Sequence, residues 1–146
     1  MKVAYPTIFT ETNTNILIEI PDLGILTEAN SKEGKMGNLA DAVAMARDAI
    51  GLHCISMEDK GEMIIRSSRI QEIDAKSSTF YEDGKTFVSI VDVDLTAYRR
   101  KNDMKMVRRN VTLPNWLNRE AEAAHINVSR VLQEALMSKL NISKVI

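Results

Sequence analysis

The chain has 146 residues, of which 45% are hydrophobic and 27% are charged, a composition typical of a globular protein with one medium or two small domains. Its single cysteine, Cys54, excludes an internal disulfide framework and leaves too few soft ligands for a structural zinc site. The formal net charge is −1, the start of the chain has no apolar signal segment, and no stretch approaches the roughly 20 apolar residues of a membrane span, so we expect a cytoplasmic protein without membrane contact.

The near-neutral total hides an asymmetry between two parts of the chain. Residues 1–98 carry 9 Lys and Arg against 16 Asp and Glu, a net charge of −7, whereas residues 99–146 carry 10 against 4, a net charge of +6. This difference predicts two modules whose partners differ in charge. Ordinary variation of charge along a chain is the alternative explanation.

The first third of the chain has the pattern of three short strands. Residues 3–9 and 15–21 are rich in β-forming side chains and are joined by a polar connection, and turn residues then precede a third strand at 25–28. Because Pro6 lacks an N–H, we expect the first strand to be an edge strand or to be bulged at that point. Three strands in succession predict a meander.

A helical period begins after Asn38. The sequence predicts a helix over residues 39–57, with Asn38 as its N-cap, Asp41 in its first turn and Gly61 as its stop. Gly51 interrupts this helix, which predicts close packing or a bend. The apolar residues that recur at helical spacing are Leu39, Val43, Ala46, Ile50 and Cys54.

The remainder of the first module is a loop followed by a strand. Residues 62–84 have no clear period, so we expect loop with at most short elements. Residues 85–95 are strongly β-forming and carry apolar side chains on both faces, which is typical of an interior strand. The first module, residues 1–98, is therefore predicted to be β-β-β-α-β. The polar, basic segment 99–106 is expected to be the linker to the last module, residues 107–146.

The last module has the pattern of one strand and two helices. Along residues 107–113, Arg108, Asn110 and Thr112 share one face, and the opposite face is mostly apolar. Pro114 is suited to open a helix, because its missing N–H belongs to the first turn. A break near residues 125–129 precedes a second helix, for which Ser129 is the predicted N-cap. The apolar side of the first helix is formed by Leu117, Ala121 and Ala124, and that of the second by Val131, Leu132, Ala135, Leu136 and Leu140.

One such module cannot be stable alone. A single strand leaves its hydrogen bonds unpaired, and about 40 residues rarely bury enough surface to fold by themselves. Two strands paired antiparallel about a two-fold axis would form a ribbon whose apolar face rests on four helices. Such a ribbon fits the DNA major groove, where Arg108 can bond guanine and Asn110 adenine, and Thr112 can bond a base or touch a thymine methyl. The predicted dimer core consists of Val111, Leu113, Leu117, Val131, Leu132 and Leu136.

The residues also carry a family resemblance. RRNVTLPNWLNREAEAAHINVSRVLQEAL resembles a ribbon-helix-helix repressor domain, and YPTIF, IPDLG and VSIVDVDLTAYRRK together resemble the N-terminal module of HicB-family antitoxins. The resemblance covers nearly the whole chain. It implies an α+β fold class, in which a partial ribonuclease H-like module binds and blocks a HicA-type RNA-cleaving toxin. It also implies that a C-terminal ribbon-helix-helix domain binds operator DNA and represses its own operon.

The resemblance assigns roles to particular residues. The outward base-reading positions fall on Arg108, Asn110 and Thr112, and a phosphate clamp falls on the start of the second helix, at Val128, Ser129 and Arg130. Lys105, like its basic neighbours Arg99, Arg100 and Lys101, is either an auxiliary phosphate contact or solubilising charge. Two-fold symmetry implies a palindromic operator and a homodimer through the C-terminal domain, and the family precedent includes tetramers. The resemblance identifies no toxin-contact residue.

One position departs from the family pattern. Related domains often have glycine where this chain has His125, and a left-handed backbone conformation there would be costly for histidine. The conformation of His125 is therefore left open.

Two other classes of function compete with this interpretation. Ribonuclease H-like chemistry requires carboxylates that converge on Mg²⁺, and the available ones are Asp22, Asp41, Asp48, Asp92 and Asp94. The first strand contributes none, so we expect no catalytic residues and interpret Asp92 and Asp94 as surface or interface charges. His53 and Cys54 are adjacent on a helix and point in different directions, so no metal site is expected. We also expect no cofactor and no small-molecule substrate. The other class is a stand-alone transcription regulator with a ligand-sensing first module.

Overall fold

The computed structural model describes residues 1–29 and 36–143, which divide into two compact units, Met1–Asp103 and Met104–Ile146. The first unit contains the strands β1 (Lys2–Glu11), β2 (Ile16–Ile20), β3 (Ile25–Glu28) and β4 (Lys85–Asp94) and the helices α1 (Leu39–Asp59) and α2 (Leu95–Asn102). The second contains α3 (Asn115–Ala123) and α4 (Val128–Lys139). None of the helices in these described residues is long and apolar enough to span a membrane.

The four strands form one antiparallel sheet in the order β3-β2-β1-β4. The predicted meander of the first three strands is confirmed. β1 pairs with β2 only from Ile8 to Glu11, so at Pro6 it has a strand neighbour on the β4 side alone. The predicted edge position of Pro6 is therefore confirmed locally, although β1 as a whole is interior.

The prediction that β4 is an interior strand is wrong. β4 pairs only with β1 and forms one edge of the sheet. Its apolar residues on the α1 side, Val91 and Val93, are buried, whereas Ile90 on the other side is 53% exposed. Apolar side chains on both faces of a strand therefore do not show that the strand is paired on both of its edges.

The core lies between one face of the sheet and α1. Ala46, Ile50 and Cys54, three of the five predicted stripe residues, are fully buried there, and Val43 is partly buried. Leu39 is exposed because it is the first residue of the helix, where the helix has only begun to cross the sheet. Burial raises the pKa of the Cys54 thiol. The sheet contributes Tyr5, Phe9, Ile16, Ile18, Ile20, Val91 and Val93 to this core.

The ends of α1 follow the local sequence code. Asn38 and Asp41 form a capping box, in which the Asn38 side chain accepts the Asp41 N–H and the Asp41 carboxylate accepts the Asn38 N–H. The helix ends at Asp59, two residues later than predicted. Gly61 follows with a φ of 73°, the left-handed conformation in which glycine costs least.

Helix α2 was missed by the sequence analysis. Its last residues, 99–102, lie in the segment predicted to be the linker, and the second compact unit begins at residue 104. Tyr98 of α2 packs on Gly51, where an added Cβ would lie 2.6 Å from the tyrosine ring. The prediction of close packing at Gly51 is thus confirmed. Burial and a hydrogen bond to Asp48 raise the pKa of Tyr98 to about 12.

The long connection between α1 and β4 crosses the sheet face opposite α1. It contains only the short 3-10 turns Ile70–Glu72, Ala75–Ser77 and Tyr81–Asp83, as the sequence predicts. Two carboxylates hold it to the sheet end and face: Asp22 accepts the Ser68 N–H and hydroxyl at 2.7 Å, and Glu19 accepts the Thr79 hydroxyl at 2.9 Å. By returning the chain to the Glu11 end of the sheet, the connection allows β4 to run antiparallel to β1.

Candidate nucleic-acid interface

The segment that carries the predicted base contacts, residues 107–113, has no strand assignment, since a strand is defined by its pairing and a single chain supplies no partner here. Arg108, Asn110 and Thr112 are exposed, as the outward-face prediction requires. Val111, on the predicted inward face, is also 51% exposed. Leu113 is the one half-buried residue of this segment, and the ribbon remains a prediction.

The predicted proline entry into the first helix of the module is confirmed. Pro114 is the N-cap residue of α3, and its carbonyl accepts the Asn118 N–H at 3.1 Å. Trp116, early in this helix, is exposed. The second unit thus has the predicted proline, first helix, break and second helix in the predicted order.

The prediction that Ser129 is the N-cap of the second helix is wrong. The cap is Asn127, whose side-chain oxygen accepts the Arg130 N–H at 3.1 Å. Asparagine is among the strongest N-cap residues, and here it precedes the first helical residue directly. Ser129 instead lies in the first turn of α4.

The capping by Asn127 changes the predicted phosphate clamp. The Arg130 N–H is already bonded to Asn127, and the Arg130 guanidinium bonds Glu134 at 3.3 Å on the solvent side of α4. Val128 and Ser129 remain in the first turn, where main-chain N–H groups point out of the helix end. Of the three predicted positions, these two retain the geometry that suits an anion.

The conformation left open at His125 is left-handed, with a φ of 54°. The His125 N–H bonds the Glu122 carbonyl and the Ile126 N–H bonds the Ala121 carbonyl, both at 3.0 Å, which is the Schellman pattern. α1 and α4 end with the same pattern, with Gly61 and Asn141 at the left-handed position. His125 is therefore the one of the three that is neither glycine nor asparagine.

Changing His125 to glycine is expected to stabilise the second unit by about 1 kcal/mol, since a side chain at a left-handed φ costs roughly 1–2 kcal/mol and the freer unfolded glycine returns part of this. Chemical denaturation of the full chain measures the change. The matched control is Asn141→Gly, where we expect a smaller gain because asparagine tolerates this conformation. A His125→Gly variant that is less stable than the parent chain would contradict the assigned geometry.

The second unit has no buried side chain among its described residues, 104–143. The predicted dimer-core residues Leu113 and Leu132 are half-buried, and Val111, Leu117, Val131 and Leu136 are exposed. A groove of about 620 Å³ runs between residues 106–109 and α4 and is lined on the helix side by Ser129, Leu132, Gln133 and Leu136. The apolar stripe of α4 thus faces open space in the single chain.

Arg99, one of the basic residues near the predicted linker, is surrounded by carboxylates. Arg99 contacts three carboxylates, Glu58, Asp59 and Asp103, at 3.0–3.5 Å, and these ion pairs fix α2 to the end of α1. The ion pairs give Arg99 a structural role that the sequence did not predict. The sequence signal that could have revealed it is the acidic pair Glu58 and Asp59, directly after the predicted helix.

Of the carboxylates considered for nuclease chemistry, Asp48, Asp92 and Asp94 line one groove, whereas Asp22 and Asp41 are not part of its lining. Each of the five has another partner. Asp92 pairs with Arg47 at 3.2 Å, and Asp94 caps α2 by accepting the Ala97 N–H, which lowers the pKa of its carboxyl. Asp22, Asp41 and Asp48 bind Ser68, Asn38 and Tyr98 respectively. The described residues contain no group of three or more His, Cys, Asp or Glu side chains placed to hold a metal ion.

Comparison with protein families decides the family of this chain. The family described as "HicB_like antitoxin of bacterial toxin-antitoxin system" matches residues 6–137, which is most of the chain and includes parts of both units. The chain belongs to the HicB-like antitoxin family. No curated protein matches it.

Two solved structures are similar to this antitoxin. A chain of a toxin–antitoxin complex from Streptococcus pneumoniae is similar over 95% of this antitoxin and 99% of that chain, with 21% identity and a TM-score of 0.57. The antitoxin HicB of Burkholderia pseudomallei is similar over 97% of this antitoxin and 99% of that chain, with 21% identity and a TM-score of 0.49. At this level of identity the first likeness supports the α+β fold of the antitoxin.

Proposed function

We propose that this protein is a non-enzymatic, cytoplasmic antitoxin that neutralises a HicA-type RNA-cleaving toxin through its first unit and represses its own operon through its second. It acts without a cofactor, a metal ion or a small-molecule substrate. The proposal is carried by one observation on this HicB-like antitoxin. The described residues of its second unit form two amphipathic helices, and none of their side chains is buried.

Such a unit requires a partner to bury its apolar surface. Val111, Leu136 and their apolar neighbours are accessible in the single chain, and about 40 residues with no buried side chain cannot offset the entropy of folding. Pairing with a second copy through residues 107–113 would satisfy the strand hydrogen bonds and cover α3 and α4 at once. The resulting homodimer would present Arg108, Asn110 and Thr112 outward from both chains.

The symmetry of this dimer determines its DNA target. A ribbon with two-fold symmetry contacts two equivalent half-sites, so the operator is expected to be palindromic. Val128 and Ser129 at the start of α4 would then bind phosphate with their main-chain N–H groups, with Lys105 as an auxiliary phosphate contact. Two such dimers can associate into a tetramer through the first units.

The charge of the first unit supports a basic protein as its partner. Residues 1–103 carry 12 Lys and Arg against 17 Asp and Glu, a net charge of −5. Proteins that handle RNA present basic surfaces to it, and opposite charge accelerates the encounter of two proteins and selects the partner. Co-purification of a small basic protein encoded beside the antitoxin gene tests this half of the proposal. An antitoxin that is isolated without that protein, and that fails to bind it when the two are mixed, would contradict it.

Changing Arg108 to alanine is expected to weaken operator binding by about 1–3 kcal/mol and to relax sequence preference, because a bidentate arginine contact to guanine is lost. Gel-shift titration against operator and scrambled DNA measures both effects. The control is Lys105→Ala, which should weaken binding to both DNAs equally and flatten the salt dependence. Unchanged operator affinity in the Arg108→Ala variant would contradict the assignment of the outward face.

A further inference from the structure

The outer edge of the strand β3 pairs with no other strand in the part of the chain that the structure describes, residues 1–29 and 36–143. The Ala29 N–H donates to the Ile16 carbonyl at 2.9 Å, which makes this position a hydrogen-bonded pair of the antiparallel ladder between β2 and β3. Such pairs alternate along a ladder, so Ile25 and Thr27 direct their N–H and C=O groups toward β2. Leu26 and Glu28 direct theirs away from the sheet, and these main-chain groups have no hydrogen-bond partner among the described residues. The Glu28 carboxylate accepts the side-chain amide of Asn15 at 3.1 Å.

An apolar groove of about 710 Å³ lies beside this edge, between β3 and α1. The apolar part of its lining includes Ile25, Met45, Ala49, Leu52 and Ile65. Leu52 is 59% exposed and Leu26, on the strand edge, is 52% exposed. Side chains alternate along a strand, so a fifth strand added to β3 would direct every second side chain into this groove.

Charge indicates the kind of strand that fits. Among the described residues, the ionisable groups at the edge and the groove are Glu28, Asp48, Glu62, Lys60 and His53. Glu28 also accepts from Asn15 and Asp48 from the Tyr98 hydroxyl, and both carboxylates contribute negative charge here. A second copy paired at this edge would bring Glu28 close to a carboxylate of its own kind, which is unfavourable, so the proposed tetramer would join the first units through another surface. A basic protein meets opposite charge on the same surface.

We propose that the outer edge of β3 and the groove beside it are the docking surface for the toxin, which adds one edge strand of its own to the sheet of this antitoxin. The strand carries apolar side chains on the face that enters the groove and is flanked by Lys or Arg opposite Glu28, Asp48 and Glu62. Main-chain hydrogen bonds to Leu26 and Glu28 supply affinity, and the groove supplies specificity. This inference rests on the proposed neutralisation of a basic toxin by the first unit.

The opposite edge of the sheet is less suited to this role. Arg47 donates through Nε to the main-chain carbonyl of Asp92 at 3.2 Å, so one carbonyl of β4 is already occupied, and the guanidinium also binds the Asp92 carboxylate. A charged residue placed over an edge strand is a common protection against further pairing. Ile90 supplies a matched exposed apolar residue on this edge, with 53% exposure.

Binding of the small basic protein encoded beside the antitoxin gene tests the proposal by variants. Leu52→Glu introduces a charge into the groove. Leu26→Pro removes an N–H that points away from the sheet and leaves the hydrogen bonds to β2 intact. Ile90→Glu, on the opposite edge of the sheet, is the control. We expect the first two to weaken binding about tenfold or more, and the control to change it less than about threefold, as measured by calorimetry on variants whose thermal unfolding matches the parent. Parent-like binding by both groove variants, or an equal loss in the control, would overturn the docking surface.

Amide hydrogen exchange on the unmodified protein provides a test that requires no variant. The outward N–H groups of Leu26 and Glu28 should exchange rapidly in the free antitoxin and slowly in the complex, whereas those of Ile25 and Thr27 should be protected in both. A complex that leaves Leu26 and Glu28 unprotected would overturn the docking surface and leave toxin neutralisation intact. Failure of the unmodified antitoxin to bind the protein at all would instead reject the proposed function.

Discussion

Replacing Leu132 with glutamate is expected to dissociate the C-terminal dimer and abolish operator binding. Leu132 is half-buried on the α4 side of the groove and belongs to the predicted dimer core. A carboxylate in that position would lose its hydration without an ionic partner, which costs several kcal/mol per ion, and two-fold symmetry places two such groups in one interface. Sedimentation velocity should show a smaller particle, and gel shifts should show no specific complex.

A charge on the other side of the same helix is the matched control for this prediction. Ser138 is exposed near the end of α4 and lies away from the groove that Leu132 lines, so Ser138→Glu should leave both dimer and operator complex in place. Ser138→Glu should lower the free energy of unfolding by about 0.3–1 kcal/mol, because it places a negative charge near a helix C-terminus. A Leu132→Glu variant that dimerises and binds operator like the parent would contradict the assigned core.

Replacing Gly84 with alanine is expected to destabilise the first unit by about 3 kcal/mol. Gly84 joins the long connection to β4, and a Cβ at this position would lie 2.0 Å from the Glu11 carbonyl oxygen. That oxygen belongs to the main chain of β1, so relief requires a shift of the central strand, the kind of overpacking that costs at the upper end of the usual range. Urea denaturation followed by circular dichroism measures the change.

Gly24 is the control for the Gly84 prediction. It has a φ of 63° and no atom within 4 Å of an added Cβ, so Gly24→Ala should cost only about 1 kcal/mol from backbone conformation. The two variants thus separate a steric cost from a conformational cost. Equal stability of Gly84→Ala and the parent chain would show that β1 and the connection do not approach each other as closely as the structure places them.

Local sequence signals predicted most elements of this fold because those elements depend on neighbouring residues. The capping box at Asn38 and the stop at Gly61 set α1, and turn chemistry set the first three strands. The edge position of β4 was not predicted because strand order depends on contacts between distant parts of the chain. Helix α2 was missed for the same reason, since its stability depends on Tyr98 against Gly51 and on the ion pairs of Arg99.

The candidate sites divide in the same way. The alternation of residues 107–113 and the positions of the two helices are local, so the sequence could identify Arg108, Asn110 and Thr112 as candidates for DNA contact. The cap of α4 was assigned to Ser129 because two good capping residues lie close together, and the geometry selects Asn127. The groove beside β3 could not be predicted, because it depends on how β3, α1 and the chain after α1 pack together, which no local pattern specifies.

The mass of the full-length protein in solution tests the central claim, that two copies join their C-terminal segments. Sedimentation equilibrium at micromolar concentration should give twice the 16.4 kDa of one chain, or an even multiple of it, across the loading series. A single species of 16.4 kDa throughout that series, from a protein with an intact C-terminus, would contradict the paired ribbon and the operator binding that depends on it.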